Sequence, residues 1–238
     1  MTLKLFDSYN LRARLCVSMF YVAPFLFDIV CLANKTFSIT ESVVLSAVCI
    51  TICQAVLCLH RAPIKGSSDK NVAAELLYPS SNLSEGIRAR YYRKLASFEP
   101  EFQSLLSYIN PDIEDNVGQN SAAEKICEDV ISWLRAKTRN SESFKLVHEE
   151  NINYGYARNM FQLKKIGAIV NILAIISIVI YGRVSFENFI WNEHILYCLG
   201  FAFHAISLLY LIFCVNKSSV EAAATRYARA LLEAIDIL

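Results

Sequence analysis

Four long apolar runs constrain this chain more than any other feature: residues 15–33, 43–59, 166–181 and 195–215. A helix rises about 1.5 Å per residue, so about 20 residues cross a hydrocarbon core about 30 Å thick. The first and last runs have that length. The second and third are a little short and extend into flanking residues such as Ser42 and Phe161. The first run is too long for a signal-peptide core, lacks a small-residue cleavage site after it, and leads at once into the second. The expected fold is all-α and integral to the membrane: four transmembrane helices, a cytoplasmic helical domain and a C-terminal amphipathic helix. The expected division is 1–60 for an N-terminal arm and first hairpin, 61–165 for the cytoplasmic domain, 166–215 for the second hairpin and 216–238 for the tail. A mean hydropathy of +0.35 is high for a chain that must cover itself in polar side chains.

Basic residues set the orientation, because cytoplasmic loops carry an excess of Lys and Arg. Lys4, Arg12 and Arg14 precede the first run, and Lys217, Arg226 and Arg229 follow the last. The region 61–165 holds fifteen basic residues. The two short loops hold only Lys35 and Arg183. Every basic segment falls on one side if both termini are cytoplasmic. The expected topology is therefore a membrane crossed several times, with the hairpin loops outside.

The region between the hairpins reads as helical. Asn82 or Ser84 can cap a helix running to about Phe98, stopped by Pro100. Ser121 and Glu124 form a capping-box pattern, followed by Ile126, Val130, Trp133 and Leu134 at helical spacing. Residues 111–120 read as a turn-rich loop. Another helix is expected from near Ser143 into the third span, with Gly155 as a bend or a point of close packing. In the tail, Val220, Ala224, Tyr227, Leu231, Ile235 and Leu238 form one apolar stripe. That stripe either packs on the chain's own cytoplasmic domain or joins subunits.

Enzyme signatures such as HExxH, GxSxG, a P-loop or GxGxxG are absent from the sequence. No catalytic residue, metal site or cofactor is expected. The histidines His60, His148, His194 and His204 are dispersed. Seven of the eight cysteines lie in or beside apolar runs, where they read as packing residues rather than a disulfide framework.

Two groups of residues are candidates for function. Asp28, Gln54, Asn171 and His204 lie within the apolar runs, where polar groups are costly. They either line a hydrated pathway, with Asp28 forming a ring of charge where subunits meet, or hydrogen-bond between helices of one bundle. The second group is basic and aromatic: Arg88, Arg90, Tyr91, Arg93 and Lys94, then Arg135, Lys137 and Arg139, then Arg158. Interleaved cations and rings suit a phosphate-bearing ligand with stacking bases. Fourteen acidic residues offset the fifteen basic ones between 61 and 165, so a solvated helix face is the competing reading. Lys164 and Lys165 are expected at anionic headgroups.

Residues 138–169 carry Thr138–Arg139, Phe144, Glu150–Asn151, Tyr154–Gly155–Tyr156, Arg158–Asn159 and Leu163–Lys164 running into an apolar span. This pattern, with the tail segment AAATRYARALLEA at 222–234, resembles bacterial four-helix membrane effectors of antiphage defence, of the Hailong and CBASS type. Ala157 departs from it, standing where a second basic residue is expected. The resemblance covers about a third of the chain. It implies a homo-oligomeric channel of the bacterial inner membrane, a tetramer for example, whose opening depolarises the cell. It further implies gating by a nucleotide or a short DNA or RNA oligomer made by a partner nucleotidyltransferase. The alternative function is a membrane scaffold that recruits a cytoplasmic protein partner.

Overall fold

The computed structural model describes residues 8–31, 39–59, 71–109, 117–185 and 191–238. Among them every regular element is helical. A π-helical turn, Asn10–Leu15, leads into α1 (Cys16–Cys31), followed by α2 (Ile39–Leu59), α3 (Val72–Leu77) and α4 (Glu85–Phe98). A 3-10 segment, Pro100–Tyr108, precedes α5 (Val117–Lys137), α6 (Lys145–Ser185), α7 (Trp191–Phe213) and α8 (Lys217–Glu233), and a 3-10 turn, Ala234–Asp236, closes the chain.

Two compact units divide this chain. One takes the described residues of Met1–Ala62 and Gly155–Val220, the other those of Pro63–Tyr154 and Glu221–Leu238. The division falls inside α6 and α8, not at the edges of the apolar runs. α6 is 41 residues long and continues through Gly155 as helix.

The second unit has an ordinary apolar core. Spacings of three and four turn one face of each helix inward: Ala73, Ala74 and Leu77 from α3, Tyr92 and Leu95 from α4, Val130, Ile131 and Leu134 from α5. The tail enters the same core through Ala228, Leu231, Leu232 and Ile235. The apolar stripe therefore packs on its own domain. Leu238, its last member, is exposed. Ser84 stands at the N-cap of α4, and Pro100 starts the next segment because its ring and missing N–H end the α-helix there. The helix placed at Ser121 begins earlier, at Val117, so Ser121 lies inside α5 rather than at its cap. The first part of the expected loop at 111–120 lies outside the described residues.

Polar groups in this core are matched. The Tyr92 hydroxyl donates to the Leu77 carbonyl at 2.6 Å. Trp133 stacks on Phe98 at 5.7 Å and donates from Nε1 to Glu99 Oε1 at 3.0 Å. Cys127 hydrogen-bonds Tyr92, and burial pushes its thiol up to about 12. The thiolate is the reactive form. Cys127 is therefore expected to resist alkylation at pH 8 in the folded protein and to react on unfolding, as mass spectrometry of iodoacetamide-treated samples would show.

The first unit has the opposite distribution. Large apolar side chains point outward: Val44 and Ile52 on α2, Ile169 and Leu173 on α6, Ile206 and Phe213 on α7, each more than half exposed. Ser18, Asn171, His204 and Ser207 are buried. Water-soluble monomers rarely expose contiguous apolar patches beyond a few hundred Å². Among the described residues one helical stretch, Lys145–Ile180, is long and apolar enough to cross a membrane by itself, so the four expected spans are not shown. Tyr197–Phe213 passes only when taken together with Lys217–Asp236, and Val43–Cys53 is a shorter apolar helix.

Close helix contact in this unit depends on small residues of α6. A Cβ on Gly167 would run into the Tyr21 ring, and one on Gly155 would stand 2.7 Å from the Tyr9 hydroxyl. Tyr21 lies over α6 and donates its hydroxyl to the Met160 carbonyl at 2.7 Å. Asn159 Nδ2 donates to the Ala13 carbonyl at 2.7 Å. Lys164, expected at headgroups, reaches backbone carbonyls. Its Nζ donates to the Val215 carbonyl at 2.6 Å and the Ile212 carbonyl at 3.3 Å, so a cation sits on unpaired carbonyls at the end of α7. Lys165, its neighbour, is exposed.

Candidate functional site

Asp28, Asn171 and His204 come from α1, α6 and α7 and meet inside the first unit. Asp28 follows Pro24 by one helical turn, and His204 faces it from the middle of α7. His204 is fully buried and Asn171 is 1% exposed. His204 Nε2 lies 2.7 Å from Asp28 Oδ2, and His204 Nδ1 lies 2.8 Å from Asn171 Oδ1. Asn171 Nδ2 donates to the Gly167 carbonyl at 2.7 Å, one turn back on its own helix. Phe25 covers the imidazole edge-on at 5.1 Å.

Hydrogen-bond logic orients this chain of groups. The Gly167 carbonyl only accepts, so the Asn171 amide turns its NH₂ toward it and its oxygen toward His204. That oxygen only accepts, so Nδ1 of His204 carries a proton and donates it. The last link, between Nε2 and Asp28 Oδ2, then needs one more proton, on either the carboxyl or the ring. Among the described residues of the unit, two further buried atoms have no hydrogen-bond partner: Asp28 Oδ1 and Ser207 Oγ. Ser207 lies nearly one turn beyond His204 on α7.

Magnitudes bear on why such a group is present. Insertion scales assign about 2.5–3.5 kcal/mol to a single Asp at the centre of a spanning helix. Interhelical hydrogen bonds in membranes return about 0.6–2 kcal/mol. These magnitudes apply to the array if α1 and α7 span a membrane.

The basic and aromatic candidates lie in the second unit, except Arg158, which belongs to the first. Arg90 and Lys94 converge on one carboxylate, Asp236, at 2.7 and 3.0 Å. Arg90 also lies over the Tyr91 ring at 5.5 Å, and Tyr91 itself is buried. Arg88 Nη1 reaches the Ser81 carbonyl at 3.5 Å, and Arg93 is exposed. Arg135 donates to Asn71 Oδ1 at 3.2 Å, and Lys137 lies over Trp133 at 5.3 Å. Arg139 is exposed, and Arg158 is half-buried. Within the second unit, then, only Arg90 and Lys94 share a target. Gln54 lies on α2, with its side chain outside the described residues.

Sequence reasoning singled out three members of the buried array separately but not their union. It missed Ser207 and Tyr21, whose hydroxyl groups are unremarkable in an apolar run. A signal was available in α6, where Gly155, Asn159, Leu163, Gly167 and Asn171 recur at every fourth position. Comparison with protein-family models, with curated proteins and with solved structures gives no match.

Proposed function

We propose that this chain is a four-span protein of the bacterial cytoplasmic membrane, with both termini inside, whose subunits assemble into a ligand-gated ion channel. The supporting observation is the Asp28–His204–Asn171 array, an ionisable pair held inside helices whose outer faces are apolar. Ionisable groups in apolar spans are costly, which favours a functional role for the pair, although in this structure it hydrogen-bonds between helices of one bundle. α1, α2, α6 and α7 are the proposed spans. Four spans per subunit are few for a pathway within one copy, so several copies share it.

The proposed ligand is a nucleotide or short oligonucleotide from a partner nucleotidyltransferase, acting on the cytoplasmic unit in antiphage defence. Its phosphate would compete with Asp236 for Arg90 and Lys94, with Arg93 nearby on the same helix. Gating requires that the ligand bind the open and closed states with different affinity.

The test is uptake of a membrane-potential dye by bacteria expressing the chain, with and without its neighbouring genes. Depolarisation in one of the two conditions is expected, and neutralising Arg88, Arg90, Arg93 and Lys94 should abolish the difference between them. Unchanged polarisation throughout would remove the channel. A second reading, a membrane scaffold for a cytoplasmic protein, draws on Asp236 already neutralising Arg90 and Lys94. It is favoured if the same substitutions release a protein partner and leave nucleotide binding unaltered.

A further inference from the structure

We infer that Asp28 and His204 form a proton-binding site whose occupancy holds α1 against α7, so that the membrane unit responds to proton activity. The inference rests on the membrane reading above, because only an apolar surround keeps water from substituting for the lost bond.

The number of protons along one chain of groups fixes the state of the site. Three links run from the Gly167 carbonyl through Asn171 and His204 to Asp28. Asn171 supplies the first link and His204 Nδ1–H the second. The third link needs a proton between two atoms 2.7 Å apart. In one form Asp28 Oδ2–H donates to the Nε2 lone pair. In the other the proton has crossed, leaving a carboxylate accepting from imidazolium Nε2–H. Both forms hold the same number of protons, and the transfer breaks one O–H bond as it forms one N–H bond.

Removing that proton leaves a carboxylate oxygen facing an imidazole lone pair. No rearrangement repairs this. Shifting the ring proton from Nδ1 to Nε2 sets Nδ1 against Asn171 Oδ1. Turning the amide to meet it sets Oδ1 against the Gly167 carbonyl. Each alternative moves the mismatch to another link, so one link between helices or within α6 must open.

Asp28 is the entry point. Its side chain is 21% exposed, whereas that of His204 is fully buried, and its Oδ1, itself buried, has no hydrogen-bond partner among the described residues. A proton arriving at the carboxyl reaches Nε2 through Oδ2. It stops there, because an amide oxygen is a poor base and does not relay it. The geometry thus describes a bound proton that locks two helices, not a through-conducting wire.

Among the described side chains, other titratable groups on the helices of this unit include Arg12 and Arg14 on the π-helical turn, Cys16 and Tyr21 on α1, Cys49 and Cys53 on α2, Tyr156, Arg158, Lys164 and Lys165 on α6, and Tyr197, Cys198 and Tyr210 on α7. Glu41 lies in the first turn of α2. Of these, Tyr21 and Lys164 are committed to backbone carbonyls. None supplies a second carboxylate to the array among the described residues.

Asp28→Asn is the decisive variant. Its amide donates to the Nε2 lone pair without a titratable proton, so the link survives at any pH. Thermal unfolding of the purified full chain in detergent would be followed from about pH 5 to about pH 10, for wild type and Asp28→Asn. The melting temperature of the wild type is expected to fall relative to the variant as pH rises, by more than about 4 °C. Parallel curves would overturn the inference.

Nitrogen-15 NMR of histidine-labelled wild type gives a readout that does not need the variant to fold. His204, assigned by its loss in His204→Gln, should keep Nδ1 protonated while Nε2 changes state on alkalinisation. A ring whose two nitrogens both stay constant across the range would also overturn it. Dye flux, as above, tests the channel separately: titration without flux sinks the channel and leaves the proton site, and flux without titration does the reverse.

Discussion

Replacing His204 with alanine is expected to be among the most damaging single changes available to this chain. The substitution removes the partner of Asp28 Oδ2 among the described residues, leaves the Asn171 oxygen without its donor, and opens a void beside Phe25. Breaking one side of a buried charged pair costs about 3–5 kcal/mol, because the survivor is left uncompensated. Removing both sides is different. Asp28→Leu with His204→Leu exchanges a polar link for apolar contact, and such exchanges are neutral or stabilising by about 1–4 kcal/mol. The expected result is therefore strong non-additivity: His204→Ala unfolds in detergent well below wild type, while the double variant is at least as stable as wild type and has lost its pH response. The measurement is thermal unfolding of the single and double variants at one pH. Additive losses would show that the array is present for stability after all.

Leu231→Ala is expected to be comparably severe in the other unit. Leu231 is fully buried on α8 and joins a core built from α3, α4 and α5. Truncating such a leucine removes its transfer free energy and leaves a cavity, together about 2–5 kcal/mol. By contrast, the ion pairs from Arg90 and Lys94 to Asp236 are partly exposed, at 55% and 39% for the two cations. Surface pairs of this kind contribute about 0–1 kcal/mol. Asp236→Ala should then be nearly silent in a melting experiment where Leu231→Ala is not. If truncating Leu231 were harmless, the tail would be an accessory segment rather than part of the core. That comparison also separates the two roles proposed for the tail, since an intersubunit stripe would leave the isolated chain's melting unchanged.

How much of this was readable beforehand differs between the two units. The α4 helix and its stop at Pro100 follow from local chemistry, because proline acts within a turn of where it stands, and Ser84 takes the N-cap position without a side-chain capping hydrogen bond. The α5 start was misplaced because Ser121 and Glu124 match a capping box, yet residues 117–120 are also helical. Local patterns tell where a helix can begin, and neighbouring residues decide whether it does. The fate of Lys164 was equally hidden. Its position beside an apolar run suits headgroups, but the carbonyls at the end of α7 come within reach only once the helices pack.

The candidate polar residues show the same boundary. Asp28, Asn171 and His204 stood out singly because ionisable and amide groups are expensive among apolar neighbours. Their distances along the chain, 176 residues between Asp28 and His204 and 33 between Asn171 and His204, carry no information about contact. The basic candidates were grouped by proximity in sequence, and folding distributes them: Arg90 and Lys94 to Asp236, Arg135 to Asn71, Lys137 to a tryptophan face.

The amino-acid order by itself determined that this protein is helical and that some of its helices prefer oil to water, because periodicity and hydropathy are properties of short windows. Which polar side chains share a proton, which cation caps which helix, and where the apolar tail lies were decided only by tertiary structure. Those are distances between residues far apart in the chain, and they exist only after the backbone has closed on itself.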